Sequence, residues 1–200
     1  MRDAALRAKK DEFMVPLAQT FCATVHPNVV SLIAMGMGLL AAAAVIQERY
    51  WLGLLLWLLN RLLDGLDGVI ARVHGKQSDF GGYLDLLFDF VIYLVIPIAF
   101  LSAAPTVFNL WAGIALISVY VLNIISWTVL GALLEKRHMQ SPSRLTSMEM
   151  PTGLIEGAET IAVYTLFFFF PAYIGYIFFI FAALVLVTAG QRVLWAARTL

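Results

Sequence analysis

The sequence predicts an all-α, multi-pass integral membrane protein, on three observations. Of 200 residues, 62% are hydrophobic and only 13% charged, against the roughly half-apolar, quarter-charged mix of a soluble domain. Six stretches, 29–46, 50–73, 80–101, 109–134, 153–170 and 173–196, approach the about 20 apolar residues that a membrane-spanning helix needs. The Lys and Arg residues gather in alternate connections between those stretches.

Ahead of the first span, Leu6, Phe13, Met14, Leu17 and Phe21 recur at helical spacing beside charged positions, the pattern of an amphipathic helix lying in the interface plane. Residues 1–25 are therefore expected as an interfacial helix and 26–200 as a six-helix bundle, one membrane domain in all. Arg2 to Glu12 mixes both signs too densely for a cleavable signal peptide. Short turns after the second and fifth spans predict antiparallel neighbours there. Phe167 to Phe170 reads as a lipid-facing helix end. Arg2, Arg7, Lys9 and Lys10, then Arg72 and Lys76, then Lys136, Arg137 and Arg144, then Arg198 all fall on one side of a six-span chain, and Arg49 alone on the other. The positive-inside bias then puts both termini and the Asp-rich turn in the cytoplasm, at the cell membrane if the cell is prokaryotic. Cys22 is the single cysteine, so no internal disulfide forms. A net charge of zero gives no electrostatic case for a nucleic-acid partner.

The second and third spans hold Asp64, Asp67, Asp85 and Asp89, in a setting where an ionisable side chain is costly and marks function by default. Asp64 and Asp67 are three apart and Asp85 and Asp89 four apart, so each pair lies on one face of its helix. Asp67 and Asp85 are equally far along the chain from Lys76, and Asp64 and Asp89 nearly so. An antiparallel hairpin turning near Lys76 brings all four to matching depth, about two helical turns inside the cytoplasmic boundary. Four carboxylates in one small volume need cations between them. Clustered oxygen ligands suit two Mg2+ or Mn2+ ions rather than zinc or copper, and such a pair bridges phosphate oxygens in an in-line displacement. Gly65, Gly68, Gly81 and Gly82 stand beside the aspartates at helical positions where glycine costs about 1 kcal/mol, which points to close approach by a ligand or another backbone. Ala71 is also small, and Arg72 supplies a fork matched to phosphate oxygens. Asp79, outside this pattern, reads as a cap of the third span.

The run Asp64-x2-Asp67-Gly68-x2-Ala71-Arg72-x8-Gly81-x3-Asp85-x3-Asp89 resembles, position for position, the motif of the CDP-alcohol phosphatidyltransferase family. The resemblance is to the class I members, which include phosphatidylglycerophosphate, phosphatidylinositol phosphate and phosphatidylserine synthases. Length, six spans and motif position extend it over nearly the whole chain. It implies transfer of a phosphatidyl group from CDP-diacylglycerol, or a similar CDP-lipid, to a small polar alcohol, with release of CMP. It implies that Asp64, Asp67 and Asp85 hold metal, and that Asp89 holds metal and acts as general base on the acceptor hydroxyl. Gly65, Gly68, Ala71 and Gly81 would make room for the CDP-lipid, and Arg72 and Ser78 would contact its CDP portion. Pro27-Asn28 resembles the family's Pro-Asn element that helps hold the nucleotide, with His26 where relatives often carry threonine. A homodimer joined through membrane helices is implied as well.

The acceptor stays open. Glycerol 3-phosphate leads, with inositol phosphate, serine or another amino alcohol as alternatives, because one fold and motif serve them all. A phosphorylated acceptor needs cations, for which Arg137, Arg144 and Arg192 are candidates, whereas an ammonium group suits Glu156 or Glu159 in the fifth span. Arg61, one turn before Asp64, reads equally as a structural ion pair or a substrate contact. His26, His74 and His138 read as interfacial. Two other function classes compete: a cation transporter, which would spread its acids through membrane depth and show broken or inverted repeats, and an inactive scaffold homologue, which has no need of every motif residue.

Overall fold

The computed structural model describes residues 14–16, 18, 19, 25–137 and 153–200. Among these, every regular element is helical: α1 (Pro27–Ile46), α2 (Tyr50–Val73), α3 (Asp79–Ala103), α4 (Val107–Lys136), α5 (Gly157–Phe169), a short 3-10 turn (Pro171–Tyr173) and α6 (Ile174–Thr199). The chain divides into two compact units, Met1–Ala103 and Ala104–Leu200.

In the first unit, local chemistry sets the helix ends. The His26 ring Nδ1 accepts from the Asn28 N–H at the start of α1, and Pro27 takes the first helical position, where its missing N–H costs nothing. At the end of α2, Gly75 turns left-handed at φ 61. Its N–H bonds to the Arg72 carbonyl, and the Lys76 N–H to the Ala71 carbonyl, the paired bonds of a Schellman stop that favours glycine at this position. Ser78 then caps α3 by accepting the Gly81 N–H at 3.0 Å, so Ser78, and not the expected Asp79, is the capping side chain. α1 packs against both α2 and α3, whereas α2 and α3 make little direct backbone contact with each other. The hairpin expected to close on itself is thus splayed, with α1 in the gap. Small residues allow this: a Cβ at Gly38 would overlap the Ile92 side chain of α3.

Most of the expected interfacial helix lies outside the described residues. Met14 and Ala18 from that segment are buried against Leu66, Val69 and Ile70 of α2, and the His74 ring and Lys76 reach the carbonyls of Ala18 and Val25. These two residues are packed against protein rather than laid on a lipid surface.

In the second unit α4 and α6 form the main contact, and α5 touches α6 more sparsely. Its core is aromatic: Tyr120, Tyr164, Phe167, Phe178 and Phe181 meet at centroid distances of 4.7 to 6.5 Å. The phenylalanine run is therefore divided, Phe167 and Phe168 being buried and Phe169 and Phe170 exposed.

Among the described residues, four helical stretches are long and apolar enough to cross a membrane: α1, α3, α4 and Pro171–Thr199. α2 has the length, 24 residues, but carries Arg61, Asp64, Asp67 and Arg72. α5 has only 13 residues, about 20 Å against a hydrocarbon core of about 30 Å. It is shorter than the expected 153–170 span because residues 153–156 form a turn that caps it. The Glu159 carboxylate accepts the Glu156 N–H at 3.1 Å, and the Glu156 carboxylate accepts the Gly153 N–H at 3.1 Å.

Candidate active site

A cleft in the first unit is lined by Ser31, Ala34 and Met35 of α1, by Asn60, Arg61 and Asp64 of α2, and by Asp85, Phe88 and Ile92 of α3. Residues of all three helices of the unit thus meet at it. Of the four predicted aspartates, Asp64 and Asp85 line it together, while Asp89 is tied to α2 by Arg61 and Asp67 to α1 by Ser31.

Each pair is held by a partner from another helix. The Ser31 hydroxyl donates to Asp67 Oδ2 at 2.5 Å and also approaches the Pro27 carbonyl at 3.2 Å, which ties the first motif helix to the Pro27-Asn28 corner. Asp67 is only 5% exposed. Across the cleft, Arg61 Nη1 donates to Asp89 Oδ1 at 2.7 Å and to the Tyr93 hydroxyl at 3.1 Å, while Asp64 Oδ2 stands at 3.8 Å from the same nitrogen. Arg61 Nε donates to Asn60 Oδ1 at 2.7 Å, and Asn60 Nδ2 in turn donates to the Ala34 carbonyl of α1 at 2.8 Å.

The positions expected to contact a CDP-lipid divide into two neighbourhoods. Asn28, Ser78 and Gly81 meet at the mouth of the hairpin: a Cβ on Gly81 would stand 3.2 Å from Asn28 Oδ1 and 3.1 Å from Ser78 Oγ. Gly65, Gly68, Ala71 and Arg72 lie along α2. Gly65 is buried, and the Arg72 Nη1 lies 3.4 Å from where a Gly68 Cβ would be.

In the second unit, Glu156 and Glu159 cap α5, and Arg137 donates to the Leu200 carbonyl at 2.6 Å on an exposed surface. Arg144 and His138 lie outside the described residues. Arg192 is buried, donates from Nη1 to Asn123 Oδ1 at 2.5 Å, and has no hydrogen-bond partner at Nε among the described residues. Glu156 is near enough for Arg192 to feel its charge.

Sequence reasoning missed Ser31, Asn60 and Tyr93. Ser31 lies one helical turn after Pro27, and Asn60 is a lone amide in an apolar run; both are legible as oddities, but nothing local names their partners.

Among the described residues, no three acidic, His or Cys side chains are gathered closely enough to form a finished metal cage. The donor set nevertheless suits a hard divalent cation, being carboxylate oxygen with no thiol or imidazole. Arg61 and Ser31 each engage an oxygen of that set.

The model of the CDP-alcohol phosphatidyltransferase family matches residues 24–197, which span both units. The chain belongs to that family. It is also 36% identical over 170 residues to the "Inner membrane protein YnjF" of Escherichia coli, covering 84% of this chain and 82% of that one. The archaetidylinositol phosphate synthase of Pyrococcus horikoshii is 28% identical over 144 residues, or 70% of this chain and 66% of that protein. A bifunctional IPC transferase and DIPP synthase of Archaeoglobus fulgidus is 34% identical over 105 residues, covering 52% of this chain and 20% of its own length. Family and hydropathy together make this a membrane protein and, by its family, a transferase of phospholipid biosynthesis.

Proposed function

We propose that the protein transfers a phosphatidyl group from CDP-diacylglycerol, or a similar CDP-lipid, to a small polar alcohol and releases CMP. One observation supports this reading: Asp64 of α2 and Asp85 of α3, one from each motif pair, line a single cleft together with residues of α1. Asp64, Asp67, Asp85 and Asp89 would hold two Mg2+ or Mn2+ ions, which when bound supply charge stabilisation for a diphosphate. Pro27, Asn28, Ser78, Gly81, Gly65, Gly68, Ala71 and Arg72 take the CDP-lipid. The acceptor oxygen forms a bond to the lipid-bearing phosphorus as the bond from that phosphorus to the CMP oxygen breaks. The acceptor's proton passes to Asp89 and then to water.

In this reading the chain is a single six-span membrane domain that forms a homodimer, with both termini and the cleft facing the cytoplasm. Lys and Arg placement supports that orientation. The acceptor is glycerol 3-phosphate, and the relative named archaetidylinositol phosphate synthase favours inositol phosphate as a second reading. Both acceptors carry a phosphate, for which an arginine fork is the matching partner. Glu156 and Glu159, taken up as caps, are poor candidates for an acceptor's ammonium group.

Purified protein in detergent, given Mn2+ or Mg2+, CDP-diacylglycerol and a panel of acceptors, should release CMP with one phosphorylated alcohol and none in an Asp89→Asn variant. Release with serine instead would exclude both phosphorylated acceptors. Release with none, from folded protein offered several CDP-lipids, would sink the transferase reading.

A further inference from the structure

Arg61 lies outside the motif run, yet its side chain is held on several sides. Its side chain is 7% exposed. Nη1 spends both hydrogens, on Asp89 Oδ1 and on the Tyr93 hydroxyl, and Nε spends its own on Asn60. The guanidinium carbon lies 4.9 Å from the Trp57 ring centre and 5.1 Å from that of Tyr93, stacked by both rings. Asn60 is tied to α1, so the guanidinium is anchored from all three helices of the unit.

That anchoring decides between roles. A long cationic side chain that greets a substrate needs room to move, and Arg61, with Nη1 and Nε engaged and two rings stacked on its guanidinium, has little. A pair serving only to neutralise charge would take the nearest acid, Asp64, one turn along the same helix. Arg61 instead holds Asp64 beyond hydrogen-bond length at 3.8 Å and closes on Asp89 across the cleft at 2.7 Å. A buried ion pair adds little net stability, because desolvation offsets most of the attraction, so its burial points to orientation.

We propose that Arg61 is a positioning residue for Asp89, a fixed internal cation that holds Oδ1 and leaves Oδ2 as the oxygen that takes the acceptor's proton. The proposal rests on the transferase reading above. Asp89 sits on α3, the helix splayed from α2, and the bond from Arg61 links its carboxylate to α2. Without it, the carboxylate is free to rotate near a cleft lined by Asp64 and Asp85.

The test compares wild type, Arg61→Gln and Arg61→Lys for CMP release, for KM of CDP-diacylglycerol and for Mn2+ binding, the last read by loss of the free-ion electron paramagnetic resonance signal. Arg61→Gln should lower kcat roughly 10–100-fold, the usual cost of losing a group that orients a site residue. Its KM for CDP-diacylglycerol should stay within about threefold, since no CDP contact is touched. Mn2+ should bind the variant no more weakly than wild type, because the four carboxylates remain and a competing cation has gone. Arg61→Lys, keeping the charge without the fork, should recover part of the loss. Equal kcat in wild type and Arg61→Gln overturns this inference and leaves the transferase reading standing. A tenfold weaker Mn2+ affinity, or failure of both variants to fold, also overturns it, by making Arg61 a support of the metal site or of the fold. No CMP from wild type overturns the transferase reading itself.

Discussion

The two halves of this chain bury their helices by different means. In the first unit the helices approach through small residues, with Gly38 against Ile92, and polar side chains join them: Ser31 to Asp67, Asn60 to Ala34, Arg61 to Asp89. In the second, the interior is a stack of Tyr120, Tyr164, Phe167, Phe178 and Phe181, with Arg192 and Asn123 as a side-chain pair at one place. Aromatic packing in an apolar solvent gains dispersion energy at no desolvation cost, whereas each buried acid must be compensated. The contrast teaches where chemistry resides: the unit with the expensive interior is the one expected to act on a charged substrate.

That contrast can be broken in order of effect. Asp64→Asn should have the largest consequence, lowering CMP release by roughly 10³-fold or more, as loss of a group that stabilises transition-state charge does, with the melting temperature in detergent not reduced. A variant that keeps its activity would mean that the acids of the first unit are structural. Phe178→Ala, in the second unit, should cost on the order of 3 kcal/mol of stability through the cavity it leaves, seen as a lower melting temperature. Its kcat per folded molecule should stay within about twofold of wild type, since the residue bears no charge and stands among rings; a kcat lost without stability would blur the division. Ser31→Ala should lower kcat by about tenfold by releasing Asp67, checked by initial rates at saturating CDP-lipid. The smallest effect belongs to Glu159→Ala, about 0.5–1 kcal/mol of stability from a lost cap bond. Its acceptor KM should be unchanged, and a tenfold rise would return this carboxylate to the acceptor pocket.

The outcomes for Phe167 to Phe170 and for the glutamates show what local pattern leaves out. A run of four phenylalanines has a face toward lipid and a face toward neighbours, but only the packing of α4 and α6 says which pair is buried. Glu156 and Glu159, three apart in an apolar stretch, carry the spacing of a paired site and equally of a helix start. In the structure both carboxylates accept backbone N–H groups at the start of the shorter α5, where the first turn leaves donors otherwise unpaired.

The sequence by itself determined the helical class, the turn near Lys76 and the placing of two aspartates on one face of each motif helix, because these follow from backbone geometry and from spacing along single helices. Tertiary structure alone decided that α1 enters between α2 and α3, that Ser31 engages Asp67, and that Arg61 chooses Asp89 over the nearer Asp64. Those choices depend on how far apart three helices stand and which side chains can cross the gap, and no periodicity within a single helix contains that distance.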